Sequence, residues 1–383
     1  MKMQILSLAA IIFLVGSVFN FYSANIIQVS AKNVAEKKVA VAEEKIDPVD
    51  KILKTMTLEE KIGQMMMIGV YGKTVDENVK SWLMNYHFGG VIFFDRNMES
   101  KEQVKKFSDE LQAVGNEKVP LFIAIDEEGG KVVRMKDKLI PPLAQEEIGS
   151  TGDSNLARLS AESISRDLRD IGINLNFAPV ADVGTTDTRS FSSDSKVVAK
   201  FVDSAAQGYE MENLFYCLKH FPGLGKGKVD THQDISVVDA DEKTLFDDDI
   251  FPFQNIISGH DNSKFMVMVG HLKYTALDKE NAASLSEEVI TKILRDNLKF
   301  QGVIITDDLN MGAVSKYDDI GNIVVKTVKA GSDIALVCHE YELQKKAYET
   351  LLKAVKSGEI SEDRIDESVR RILKMKLTLG ESK

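Results

Sequence analysis

Eight short apolar runs punctuate this chain, and they restrict its fold more than any other feature. They lie at residues 65–70, 90–94, 121–125, 173–178, 214–218, 265–269, 303–305 and 334–337. Most are continuously apolar, as a strand buried on both faces is, while the run at 173–178 carries Asn174 and Asn176. Amphipathic, helix-length segments separate most of them. Strands alternating with helices give an α/β architecture with a parallel sheet. Eight such units are expected to close into a single (β/α)8 barrel of the TIM type, with its chemistry where the carboxyl ends of the strands meet their loops. Local signals agree: Thr57-Leu58-Glu59-Glu60 is a capping box opening a helix before Ile62. Val289, Ile293, Leu294 and Leu298 form an apolar stripe behind Ser286, which supplies half of a capping signal. No repeat of 20 to 50 residues is present, so a solenoid is excluded.

The amino terminus breaks the pattern. Lys2 precedes an apolar stretch at residues 5–21, interrupted only by Ser7, Gly16, Ser17 and Asn20. That stretch reads as a secretory signal or an uncleaved anchor, outside the fold. Val29-Ser30-Ala31 offers a small-residue cleavage site, and residues 32–46 read as a solvated tether. The expected organisation is residues 1–31 signal or anchor, 32–46 tether, and 47–383 catalytic barrel. The protein is then exported to the cell envelope or beyond, with a membrane tether through its first segment as one form of that. The only cysteines, Cys217 and Cys338, sit inside apolar runs. They are expected to be buried free thiols, and no cysteine follows the leader to carry a lipid. With 28% charged residues, a net charge of −11 and no basic cluster, a nucleic-acid or anionic-membrane surface is excluded.

The chemistry concentrates at the strand ends. The run at 214–218 stops in Lys219-His220, and a loop with Pro222, Gly223, Gly225 and Gly227 leads to Asp230 and His232. A carboxylate two residues from a histidine can orient its ring and stabilise its protonated form, making it a proton shuttle near neutral pH. Asp126, Glu127 and Glu128 end the third run, and three adjacent carboxylates repel unless a cation or a hydroxyl-rich ligand is nearby. The seventh run ends in Thr306, Asp307 and Asp308. Side chains alternate along a strand, so only one of these aspartates can point into the barrel mouth, and parity alone does not say which. A metal site on His220, Asp230 and His232 is set aside, because the glycine-rich loop that spreads them over twelve positions matches no standard zinc spacing. A phosphate loop fails too, since Val229 follows Lys228.

Residues 219–232, KHFPGLGKGKVDTH, resemble the signature of the family 3 glycoside hydrolases, in their branch of single-domain β-N-acetylglucosaminidases. That branch reads K-H-F-P-G-H-G, four residues, then D-S-H. Here Leu224 replaces the histidine and Thr231 the serine. The family's D-Q-E-G-G-x-V-x-R is matched from Asp126 to Arg134, with Glu127 for glutamine. Its R-S-F-G-x-D-P begins at Arg189, with Ser192 for glycine and Ser195 for proline. Thr306, Asp307, Leu309 and Met311 match T/S-D-x-L-x-M. The resemblance extends from about residue 47 to about residue 376 and includes the segment bearing Arg364, Arg370 and Arg371.

The resemblance implies a retaining exo-β-N-acetylglucosaminidase with Asp307 as nucleophile and His232, held by Asp230, as acid and base. It implies that Asp126, Arg134, Arg189, Lys219 and His220 bind the sugar, with His271 supporting the floor and Asp308 turned away or supporting its loop. Peptidoglycan fragments or other glycans ending in β-GlcNAc are the expected substrates, with no cofactor, no metal and a monomeric enzyme. Two alternatives use the same barrel. One is a phosphorylase or a broader β-glycosidase, the former favoured by the charges of Lys226 and Lys228. The other is a non-catalytic glycan-binding protein, which the presence of Asp307, Asp230 and His232 disfavours.

Overall fold

The computed structural model describes residue 28 and residues 47–115, 119–185, 187–227 and 236–378. The signal and tether expected at 1–46 therefore lie outside the described residues, residue 28 excepted. By its contacts the chain divides into residues 1–51 and residues 52–383, and the second is the barrel.

Each of the eight apolar runs contains a strand. These are β1 (Met66–Gly69), β2 (Gly90–Ile92), β3 (Phe122–Ile125), β4 (Leu175–Asn176), β5 (Phe215–Phe221), β6 (Phe265–Val269), β7 (Val303–Thr306) and β8 (Ala335–Val337). All neighbours pair in parallel, in the order β8-β1-β2-β3-β4-β5-β6-β7. A parallel bridge between Ile305 and Ile334 brings the two ends together and closes the barrel. The α/β barrel expected from the apolar runs is therefore the observed fold. Every residue of these eight strands is buried, which is why most of the runs carry no polar alternation; in β4, Asn176 is buried with its amide hydrogen-bonded to the backbone of Glu127.

A helix precedes the first strand and helices follow the others. The Thr57 capping box opens α1 (Leu58–Gln64): Thr57 Oγ1 accepts the Glu60 N–H at 3.2 Å and Glu60 Oε2 accepts the Thr57 N–H at 2.8 Å. The stripe behind Ser286 forms a helix at Glu288–Asn297, with Val289, Ile293, Leu294 and Leu298 buried. It is wound wider than expected, its last turn closing from the Leu298 N–H to the Ile293 carbonyl. Ser286 Oγ accepts the Val289 N–H at 3.2 Å, so the half-signal is used.

Closure of the seam depends on one buried carboxylate. Asp333 donates its N–H to the Ile304 carbonyl at 2.8 Å, and its Oδ2 accepts the Ile304 N–H at 2.9 Å. Four groups hold that side chain: Arg295, which pairs with Oδ2, Arg371 at 3.0 Å and Ser368 Oγ at 2.7 Å on Oδ1, and the Ile304 N–H. Arg371 and Ser368 lie on α2 (Glu362–Leu377), and Arg364 of the same helix donates to the Ser332 carbonyl at 2.8 Å. The arginines of that helix thus fasten the joint between β7 and β8. Burial alone would raise the Asp333 carboxyl, but Arg295, Arg371 and Arg364 outweigh it and hold it below the ordinary range.

A depressed folded value means that this stabilisation is complete above the unfolded carboxylate range and is lost as pH falls through the folded value. Asp333→Asn leaves the buried arginines without their counter-charge. It is expected to lower the unfolding free energy at pH 7 by about 3–5 kcal/mol and to flatten the acid limb of stability in urea melts. A variant as stable as the parent would show that the seam closes without it.

Candidate active site

A cavity of about 220 Å³ opens at the carboxyl ends of the strands, lined by Asp126, Glu128, Arg134, Arg189, Lys219, His220, Asp307 and Asp308 among others. Its most buried cation is Lys219, at the end of β5. The pairing of β5 with β6 slips here: Lys219 lies opposite Met268 and Phe221 opposite Val269, so His220 has no partner in the ladder. Both Lys219 and His220 consequently line the cavity.

Lys219 Nζ contacts Asp126 Oδ1 at 2.7 Å and Glu128 Oε1 at 2.6 Å. Burial works against its charge, but the two carboxylates prevail and raise it above an ordinary lysine. The acidic cluster therefore finds its cation within the protein. Arg134 Nη2 donates to Asp126 Oδ2 at 3.2 Å. Arg189 takes Glu128 in a two-pronged grip, Nε to Oε2 and Nη2 to Oε1, each at 2.8 Å. Burial opposes ionisation of Asp126, yet Lys219 and Arg134 draw it down to about 2. Glu128 is buried too, and Lys219 and Arg189 hold it below the usual range.

Glu127 turns the other way. It is 1% exposed, and its Oε2 accepts the N–H groups of Arg134 at 2.7 Å and Met135 at 3.3 Å. Burial pushes its carboxyl up to about 7, against the pull of those two N–H groups.

The segment between β4 and the next helix supplies two further groups. Asp182 is buried and binds His220 twice, its Oδ1 accepting the backbone N–H at 2.9 Å and its Oδ2 lying 2.8 Å from Nδ1. It also accepts the Leu224 N–H at 2.8 Å, which ties the start of the glycine loop to the cavity. Arg189 reaches the cavity despite the two exchanges after it. Ser195 is the first residue of a helix (Ser195–Met211), a position that also suits proline, so either residue fits there.

At β7 the expectation from strand parity needs correcting. Both Asp307 and Asp308 line the cavity, because the strand ends at Thr306 and alternation no longer applies. Asp308 does support its loop as well, its Oδ1 accepting the Asn310 N–H at 3.0 Å and the Cys338 N–H at 3.1 Å. Their carboxyls are shifted in opposite directions. Burial would raise Asp307, but His220, His271 and the Asp308 N–H keep it below the usual range. Burial raises Asp308 to about 6. His271 does not line the cavity: it is buried, bonded to Ser284 Oγ at 2.7 Å and to the Asp308 carbonyl at 3.0 Å, and so braces the loop from below.

Asp230 and His232 lie outside the described residues. The loop leading to them is anchored up to Gly227. Tyr274 Oη donates to the Gly223 carbonyl, and a Cβ on Gly225 would stand 1.6 Å from the Val183 carbonyl oxygen, so only glycine fits. Lys226 pairs with Asp249 at 2.5 Å and lies 3.6 Å from Asp248. Its charge is neutralised there, which removes part of the support for a phosphorylase. Leu224, where the resemblance has histidine, puts an apolar face on the cavity.

The structure also adds residues not singled out in the sequence. His339 and Phe94 form part of the rim, their rings 5.2 Å apart, and His339 Nε2 lies 3.7 Å from Asp308 Oδ2. Neither belongs to a motif, and only the positions after β8 and β2 could have pointed to them. Cys217 and Cys338 are buried and free, as expected. Among the described residues no cluster of acidic, histidine and cysteine side chains could hold a metal ion, and no helix is long and apolar enough to cross a membrane.

Residues 57–375 match the model of the glycosyl hydrolase family 3 N terminal domain. The chain belongs to glycosyl hydrolase family 3. It is 31% identical over 340 residues to β-hexosaminidase A of Pseudoalteromonas piscicida, covering 81% of this chain and 56% of that one. It is 35% identical over 288 residues to a β-hexosaminidase of Xylella fastidiosa, covering 72% and 83% respectively. A solved family 3 β-N-acetylglucosaminidase from Paenibacillus superposes with a TM-score of 0.82 at 36% identity, covering 86% of this chain and 64% of that one. The chain thus spans little more than half of the first relative and most of the second. The family match covers β1 to β8, so the cavity belongs wholly to the matched part.

Within this family 3 barrel, Lys219 is the group whose loss the geometry makes most costly. Lys219→Met leaves Asp126 and Glu128 buried without their shared cation. It is expected to lower the unfolding free energy by about 3–5 kcal/mol in urea melts. Parent-like melting would show that the two arginines suffice.

Proposed function

We propose that this chain is a retaining exo-β-N-acetylglucosaminidase. The observation that carries this is the Asp307 carboxylate, kept ionised at the inner wall of a cavity whose other walls are a web of paired acids and bases. The packed barrel core closes the cavity below, so a glycan enters by its end. Asp126, Arg134, Arg189, Lys219 and His220 offer acceptors and donors for ring hydroxyls. Arg134 Nε is a buried donor with no partner among the described residues, and a sugar oxygen would satisfy it.

In the first step Asp307 attacks the anomeric carbon as the bond to the leaving oxygen breaks, and His232 gives that oxygen a proton. In the second, His232 takes a proton from water, whose oxygen displaces Asp307. Asp230 holds the imidazole in place. The names of the relatives, β-hexosaminidase and β-N-acetylglucosaminidase, support GlcNAc as the terminal sugar. The apolar leader supports export and, with it, peptidoglycan fragments or other envelope glycans as substrates.

A fluorinated GlcNAc analogue that traps the covalent intermediate should label the peptide containing Asp307, and Asp307→Asn should be nearly inactive. Mass spectrometry that places the label on Asp308 would reassign the nucleophile. No turnover of chromogenic β-GlcNAc by the parent would end the proposal.

The proton donor is tested through the leaving group. A nitrophenolate departs without a proton, whereas a sugar alkoxide needs one, and acid help is worth typically ~10²–10⁴-fold. His232→Ala should therefore slow hydrolysis of a GlcNAc disaccharide far more than release of nitrophenol. Equal losses on both substrates would exclude His232. Asp308, raised to about 6 beside the nucleophile, is then the donor to test by Asp308→Asn.

A further inference from the structure

Two buried polar atoms near the cavity lack partners among the described residues, and they are complementary. One is Glu127 Oε1, an acceptor when ionised; the other is Arg134 Nε, a donor. Their side chains stand on one loop, joined already by the Arg134 N–H on Glu127 Oε2 at 2.7 Å. The backbone at Glu127 is clamped from both sides by Asn176, which accepts its N–H at 3.0 Å and donates to its carbonyl at 3.0 Å. Only the outer end of the Glu127 carboxyl is free to change its interactions.

We propose that Glu127 is a positioning residue for Arg134: protonated, it leaves the guanidinium on the sugar cavity, and ionised, it draws the guanidinium away. The proposal rests on the reading that Arg134 holds the sugar. A neutral carboxyl makes little claim on a guanidinium. A buried carboxylate with one unpaired oxygen makes a strong one, since leaving it unpaired is costly. Arg134 is held on the cavity by one bond of 3.2 Å to Asp126 and by the Phe94 ring 5.5 Å from its guanidinium, and Asp126 keeps Lys219 when Arg134 leaves.

The groups facing Glu127 are few. Arg134 favours its ionisation, and Asp126 beside it opposes. Tyr209, which reaches it through Asn176 Nδ2 at 3.2 Å, is kept protonated by burial. Glu128 stands next in the chain, its charge held by Lys219 and Arg189. Burial places the change at about pH 7, so Arg134 serves the cavity below that pH and leaves it above. Glutamine would keep the two N–H bonds on its oxygen and never ionise.

The test is KM and kcat for chromogenic β-GlcNAc between about pH 5.5 and 8.5, for the parent and for Glu127→Gln, with melting curves at each pH. Loss of a charge-assisted contact predicts that KM of the parent rises about tenfold across that range. In Glu127→Gln the rise should be less than about twofold. Titration of His232 and Asp308 is common to both proteins and cancels in the comparison. A flat KM in the parent, or the same rise in both, overturns the proposal. If the variant fails to fold, the parent alone decides. Calorimetry of GlcNAc binding at pH 8, in buffers of different ionisation enthalpy, must show proton uptake, and its absence overturns the proposal. Turnover at pH 5.5 with a flat KM removes this inference only. No turnover at any pH removes the enzymatic reading as well.

Discussion

The ammonium of Lys219 is the charge on which the cavity is built. It is 2% exposed, and a lone charge so buried would shed its proton or destabilise the fold. Two carboxylates at the end of β3 prevent that, and each then needs more than a share of one cation. Asp126 takes Arg134 and Glu128 takes Arg189, so the network extends outward from the barrel until its members reach the cavity rim. Every arm of it ends on a loop, while Lys219 at its centre stands on β5. The rigid barrel fixes the centre, and electrostatics fixes the loops.

A second buried charge plays a different part at the seam. Asp333 is fully buried and saturated by arginines, a serine and a backbone N–H, and none of its partners lines the cavity. Its role is to join β7 to β8, the one place where the barrel has to close on itself. Asp307 follows β7 directly, so its position in the cavity depends on that joint. Stability and reactivity are separated in space but share a strand.

The fold was legible because burial on both faces makes most of the strands plain apolar runs. The strand-end residues were legible as chemistry: Asp126, Arg134, Arg189, Lys219, His220 and Asp307 all line one cavity. What stayed hidden depends on contacts between distant segments. Asp182 is an unremarked acid in the sequence and the clamp of His220 in space. His339 belongs to no motif and gains its place from the turn after β8. Strand parity allows only one of the two aspartates after Thr306 into the mouth, a rule that lapses where the strand ends.

The sharpest lesson lies in Asp126, Glu127 and Glu128, three consecutive acids with three different fates. In sequence they form one acidic patch whose charges should repel. In the structure Asp126 and Glu128 share Lys219 and stay ionised, while Glu127, one residue from each, points into the protein and holds its proton to about pH 7. What separates them is access to Lys219: Glu127 and Glu128 are both buried, yet only Glu128 reaches the ammonium. Adjacent carboxyls whose environments push them apart are how a single pH supports two protonation states in one site. Here the ionised pair faces the cavity, and the protonated one supports from behind the loop that carries Arg134.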